Sequence, residues 1–135
     1  MRSVLAVIAG FVAWWIVASI VSLGLRAAWP TYAAAEPEMH FTLAMLFARL
    51  LMGAFSTIVA GLVTARIARP SRRANLALGA VLLLFFVPVH IQLLDAFPLW
   101  YHAFFLGSLV PLALLPAGWP RMATIAASRP AAPDD

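Results

Sequence analysis

Residues 3–25 read SVLAVIAGFVAWWIVASIVSLGL, 23 consecutive residues without a charged side chain. In a helix, about 20 mostly apolar residues cross the ~30 Å hydrocarbon core of a bilayer. A secretory signal has a shorter apolar region of about 7–15 residues, so we do not expect a cleaved leader even though Arg2 precedes the stretch. The pattern therefore predicts that the chain begins with a transmembrane helix.

Three further segments have the same character. The stretches 74–94 and 96–120 carry no charged residue. The stretch 39–65 carries one, Arg49. Ser71 is a predicted N-cap, because a serine hydroxyl can accept a hydrogen bond from the first turn of the helix that follows. We predict transmembrane helices over 4–26, 41–66, 73–95 and 99–119.

The composition of the whole chain agrees with an all-α membrane protein. Of its 135 residues, 64% are hydrophobic and 10% are charged, whereas soluble domains are about 25% charged. A soluble domain of this size could not bury so much apolar surface, and a disordered chain would need low hydrophobicity. We expect a single four-transmembrane-helix bundle with short loops over 1–120, followed by a disordered cytoplasmic tail over 121–135. The absence of cysteine excludes disulfides and thiolate metal sites.

The placement of arginine predicts the orientation of the chain. Arg2 precedes the first predicted helix, and Arg121 and Arg129 follow the fourth. The connection between the second and third helices carries a further cluster: Arg66, Arg69, Arg72 and Arg73. Because Lys and Arg are enriched in cytoplasmic loops, both termini are predicted inside, in a plasma or bacterial inner membrane. We expect the cluster to contact anionic lipid head groups, with an acidic protein as the alternative partner and no nucleic acid.

Aromatic residues at helix ends are typical of membrane interfaces. We expect Trp29, Tyr32, Trp100 and Tyr101 to anchor the outer interface.

Small residues indicate how the helices would pack. Lipid tails are as apolar as Leu, so helices in a bilayer associate by close packing and interhelical hydrogen bonds. Gly53, Thr57 and Gly61 recur at four-residue spacing in the second helix, and Ala6 and Gly10 form a weaker stripe in the first. We expect these two stripes to face each other within one chain. A homodimer seam is the alternative.

Arg49 is the charged residue predicted to lie within a span, about 12 Å below the outer end of its helix. An Arg at the bilayer centre costs about 2.5–3.5 kcal/mol, so such a residue is a functional-site hypothesis. An ion pair with Asp95 or Glu38 would offset that cost, and snorkelling to the interface is the structural alternative. The predicted intramembrane polar site, on the outer side, comprises Arg49, His90, Gln92, Asp95 and Glu38.

The chain shows no sequence signature of catalysis. Three histidines could bind a divalent metal, but no tight spacing such as H-x-x-x-H is present. Haem would need two histidines at matched, buried depth, whereas His90 and His102 are expected near the outer surface. We therefore expect neither metal nor cofactor.

The expected function is a non-enzymatic accessory, assembly or interaction subunit, in a homo-oligomer or a larger membrane complex. Two alternatives stay open. One is a small transporter or channel subunit with an outward-facing polar cavity around Arg49. The other is a membrane enzyme that acts on lipid.

Overall fold

The computed structural model describes residues 1–68 and 71–127, with side chains as far as Gly118. This part of the chain is helical and contains no strand. The helices are α1 (Arg2–Ala28), α2 (Pro30–Ala35), α3 (Leu43–Ala68), α4 (Arg72–Gln92) and α5 (Leu99–Ala127). Within the described residues, α1, α3, α4 and α5 are long and apolar enough to cross a membrane. The prediction of an all-α fold with four such helices is confirmed.

The helix ends follow local signals. Ser71 is the N-cap of α4, where its hydroxyl oxygen accepts a hydrogen bond from the backbone N–H of Ala74 at 3.4 Å. Pro30 starts α2, because its fixed φ suits the first helical position and its missing N–H has no role there. The chain then turns at Met39, whose φ is +57°. The six-residue α2 lies in the connection that we expected to be a loop.

The last helix runs past its predicted end. It continues to Ala127 rather than ending at 119. The remainder of the predicted tail, 128–135, lies outside the described residues.

The long helices form an antiparallel bundle in which α3 packs between α1 and α5, and α4 packs against α5 and α1. Side-chain hydrogen bonds mark the register of α1 against α3. Trp14 Nε1 donates to Thr57 Oγ1 at 3.0 Å, and Thr64 Oγ1 donates to the Ala6 carbonyl at 3.2 Å. Arg2 Nε donates to the Ile67 carbonyl at 2.8 Å. The start of α1 therefore meets the end of α3.

The two ends of the bundle differ in charge. We call one the arginine end, which carries Arg2, Arg66, Arg72 and Arg73. We call the other the α2 end, which carries α2 and the acidic residues Glu36, Glu38 and Asp95. Between them lies an apolar core of buried side chains: Trp14, Ala18, Ala60, Leu78, Leu82, Phe86, Phe105, Leu109 and Ala113.

The small residues of α3 contact two different helices, α1 and α5. A Cβ built on Gly53 would lie 2.7 Å from the Phe105 ring, and one on Gly61 would lie 2.7 Å from the Ala113 carbonyl oxygen. Both glycines therefore face α5. A Cβ on Gly10 would instead meet Thr64 and the Ala60 carbonyl of α3. The expectation that the whole α3 stripe faces α1 is wrong at Gly53 and Gly61, because α3 lies between two helices and its small face contacts both.

Candidate functional site

Arg49 lies in the second turn of α3 and is held by side chains from the segment around α2. Its Nη1 donates to the Tyr32 hydroxyl oxygen at 3.0 Å. The Tyr32 side chain is completely buried. The guanidinium carbon lies 4.8 Å from the centre of the Phe41 ring, which is within the range of a cation–π contact. The sequence places Arg49 near the start of α3, and α2 supplies Tyr32 as its hydrogen-bond partner.

One carboxylate lies between two guanidinium groups. Arg26 Nε is 2.6 Å from Glu36 Oε2, and Arg49 Nη1 is 3.8 Å from Glu36 Oε1. We call these three residues the Arg26–Glu36–Arg49 cluster. Two cations and one anion leave an excess of one positive charge at a site where Arg49 and Glu36 are largely shielded from solvent.

A cavity of about 610 Å³ opens beside this cluster. Its volume lies within the range of about 300–1,000 Å³ typical of small-molecule sites. The lining residues are Arg26, Ala33, Glu36, Pro37, Met39, Phe41 and Arg49. An Arg side chain has five N–H donors, and the Nε of Arg49 is buried without a hydrogen-bond partner among the described residues. The site therefore combines excess positive charge with unused donor capacity, which suits a small anion.

Two buried histidines form a second polar pair at the α2 end. The Nδ1 atoms of His90 and His102 are 2.7 Å apart, so one must donate and the other accept. The His90 ring stacks on the Phe105 ring with a centroid distance of 4.6 Å. His102 Nε2 is buried without a hydrogen-bond partner among the described residues. Both histidine side chains are buried at the α2 end of the bundle, because the last turn of α4 packs onto the first turn of α5.

Phe97 separates the histidine pair from the arginine. Its ring centre lies 6.0 Å from the Arg49 guanidinium carbon and 6.1 Å from the His102 ring centre. Among the described residues, no three His, Cys, Asp or Glu side chains lie close enough together to hold a metal ion.

The other predicted site residues lie apart from the cluster. Glu38 is exposed and lies 3.6 Å from His40 Nδ1. Gln92 and Asp95 are exposed beyond the end of the buried part of α4. The acid beside Arg49 is therefore Glu36 rather than Glu38 or Asp95, since α2 directs Glu36 back toward α3.

Two residues that the sequence analysis did not assign to a site are central to this bundle. Tyr32 is buried against Arg49 instead of anchoring the interface. Asn75 is completely buried, and its Nδ2 donates to the carbonyls of Gly61 at 3.0 Å and Ala113 at 2.6 Å. The sequence feature that could have indicated the role of Asn75 is a lone amide within an apolar segment, because such groups form interhelical hydrogen bonds.

The predicted head-group cluster lies at the arginine end. Arg66, Arg72 and Arg73 are exposed there, whereas Arg69 lies outside the described residues. Comparison of the chain with protein-family models, curated proteins and solved structures finds no match.

Proposed function

We propose that the chain is a multi-pass integral membrane protein that crosses the bilayer four times, with both termini in the cytoplasm. The outward-facing surface supports insertion, because large apolar side chains such as Leu51, Leu84 and Phe104 are well exposed on α3, α4 and α5. Exposed apolar surface of this extent is favourable in lipid and costly in water. The concentration of arginine at one end supports the orientation, and a plasma or bacterial inner membrane fits it.

Within that membrane, we propose a non-enzymatic role as an accessory or interaction subunit. The observation that carries this proposal is that polar side chains inside the described bundle bond one helix to another. Trp14 and Thr57 bond to each other across α1 and α3, and Asn75 bonds to backbone carbonyls of α3 and α5. Apolar side chains of Leu78 and Leu109 fill the space between them. This arrangement favours a rigid packing unit over a conducting path.

A second candidate is a small transporter or channel subunit, and the cavity beside the Arg26–Glu36–Arg49 cluster favours it. In the proposed orientation this cavity opens to the outside. Arg49 would contact an entering anion there, with Glu36 as the group that the anion displaces.

The orientation is tested by fusing a reporter that is active only in the cytoplasm to each terminus, and separately to the connection between α4 and α5. Both terminal fusions should be active and the connection fusion silent. A silent fusion at either terminus would contradict the proposed topology.

The role is tested by extraction in a mild detergent and by flux measurements. An interaction subunit should be recovered as an oligomer or in a larger complex, and recovery only as a monomer would contradict it. Proteoliposomes should then show no anion uptake above empty vesicles. Uptake that is lost in Arg49→Gln but retained in the exposed control Glu38→Gln would establish the second candidate instead.

A further inference from the structure

A groove of about 700 Å³ lies between α1 and α4 at the arginine end of the bundle. Its α1 wall includes Val4 and Ile8, and its α4 wall includes Ala77 and Val81. The side chains of Val4 and Ile8 are more than half exposed, so they do not fill the groove themselves. The cleft is wide because α1 packs much less extensively against α4 than against α3.

The deep end of the groove is apolar and its mouth is polar. Phe11 lines the deep end, and its ring lies 5.6 Å from that of Phe85 in an edge contact. At the mouth lie Arg73 and Ser71. From Arg73 to Val81 the groove runs for eight residues of helix, which is about 12 Å. The cleft thus has a cationic entrance and apolar walls.

The charge around this mouth has one sign. Arg2, Arg66 and Arg72 are exposed at the same end, while the acidic residues of the described chain lie at the α2 end. The Ser71 hydroxyl oxygen accepts the Ala74 N–H, which leaves the hydroxyl hydrogen available for an acceptor outside the helix. A ligand complementary to the groove therefore has an anionic oxygen-rich head and an apolar chain.

We propose that this groove binds one anionic phospholipid, with an acyl chain between α1 and α4 and the phosphate at Arg73 and Ser71. The inference rests on the proposed membrane location and deepens the expected contact with anionic lipid. Instead of a diffuse attraction to lipid head groups, the protein would have one specific lipid-binding site. Arg73 holds the phosphate by charge-assisted hydrogen bonds, and the apolar walls exclude water from the chain.

The test is native mass spectrometry of the full chain in detergent, titrated with phosphatidylglycerol and with phosphatidylcholine of the same acyl chains. We expect one phosphatidylglycerol to bind about tenfold more tightly than phosphatidylcholine. Arg73→Gln should remove that preference. The matched control Arg66→Gln, exposed at the same end but outside the groove, should leave it intact.

The position of the acyl chain is tested by substitutions that fill the groove. Ala77→Phe should weaken binding of both lipids about tenfold or more, and Ile8→Trp should do the same from the opposite wall. The control Ala80→Phe, an exposed position on α4 outside the lining, should have no effect. Circular dichroism identifies any variant that does not fold. If one of the two groove-filling variants does not fold, the other tests whether the groove binds the acyl chain.

Three results would overturn the proposal. An equal loss of the phosphatidylglycerol preference in Arg66→Gln and Arg73→Gln would show diffuse charge attraction. Unchanged lipid binding in Ala77→Phe and Ile8→Trp would place the acyl chain outside the groove. Dissociation of an oligomer by Ala77→Phe, without loss of lipid, would assign the groove to a second copy of the chain. Because binding in detergent does not depend on orientation, failure here is distinguishable from failure of the reporter test.

Discussion

Gly61→Ala should destabilise the bundle, whereas the same change at Gly107 should not. The new Cβ at position 61 would lie 2.7 Å from the Ala113 carbonyl oxygen and 3.2 Å from Pro116 Cγ, so α3 and α5 must move apart. Overpacking of this kind costs about 1–3 kcal/mol. The same movement stretches the Asn75 bond to Ala113, and an interhelical bond in a membrane contributes about 0.6 kcal/mol.

The gain in helix propensity from Gly to Ala, at most about 1 kcal/mol, offsets part of this cost. We therefore expect the free energy of unfolding to fall by about 1–3 kcal/mol in Gly61→Ala. A Cβ added to Gly107 would have no neighbouring atom within 4 Å, so Gly107→Ala should be neutral or stabilising by up to about 1 kcal/mol. Reversible unfolding in mixed micelles measures both variants. Equal stability of the two would refute the close approach of α3 and α5.

Three further changes test the polar contacts. Asn75→Asp replaces the amide donor of two carbonyl bonds with an acceptor, so unfolding in micelles should become easier by about 1–3 kcal/mol, and unchanged stability would argue against those bonds. Tyr32→Phe removes the hydroxyl that accepts a hydrogen bond from Arg49. Hydrogen exchange of the α2 backbone amides, measured by mass spectrometry, should therefore become faster. Unaltered exchange would show that this bond does not hold α2 in place. His90→Phe and His102→Phe each leave a buried nitrogen of the other histidine without its partner. The free energy of unfolding of the double variant should therefore fall by about 1 kcal/mol less than the sum of the two single losses. Additive losses would exclude the pairing.

Much of the fold is predictable because it depends on local properties of the chain. In lipid every backbone N–H and C=O must be bonded within the protein, so a long apolar segment has to be a helix. Residues 3–25 alone therefore identify α1, and the Ser71 cap likewise depends only on its own neighbours. The position of Arg49 near the start of α3 follows from counting residues along one helix.

The composition of the site was less predictable, because it depends on which helices meet. Glu36 and Glu38 are two residues apart in the same connection, and the direction of the chain after α2 decides which of them lies beside Arg49. The contact between His90 and His102 requires the crossing of α4 and α5, which no spacing in the sequence reports. By residue type, Tyr32 would also suit a membrane interface. Its burial becomes evident only when α2, which packs against α1, brings the Tyr32 side chain beside Arg49 of α3.

The sequence by itself determined the four long helices, the separation of charge between the two ends of the predicted helices, and the presence of one arginine within a long apolar helix. These follow from hydropathy, helix length and charge counted along the chain. Only the tertiary structure decided that Gly61 faces α5, that Glu36 lies between Arg26 and Arg49, and that α1 and α4 leave a groove with Arg73 at its mouth. The physical reason is that each of these features depends on distances between helices. Such distances are determined by how small and large side chains fit together across the bundle.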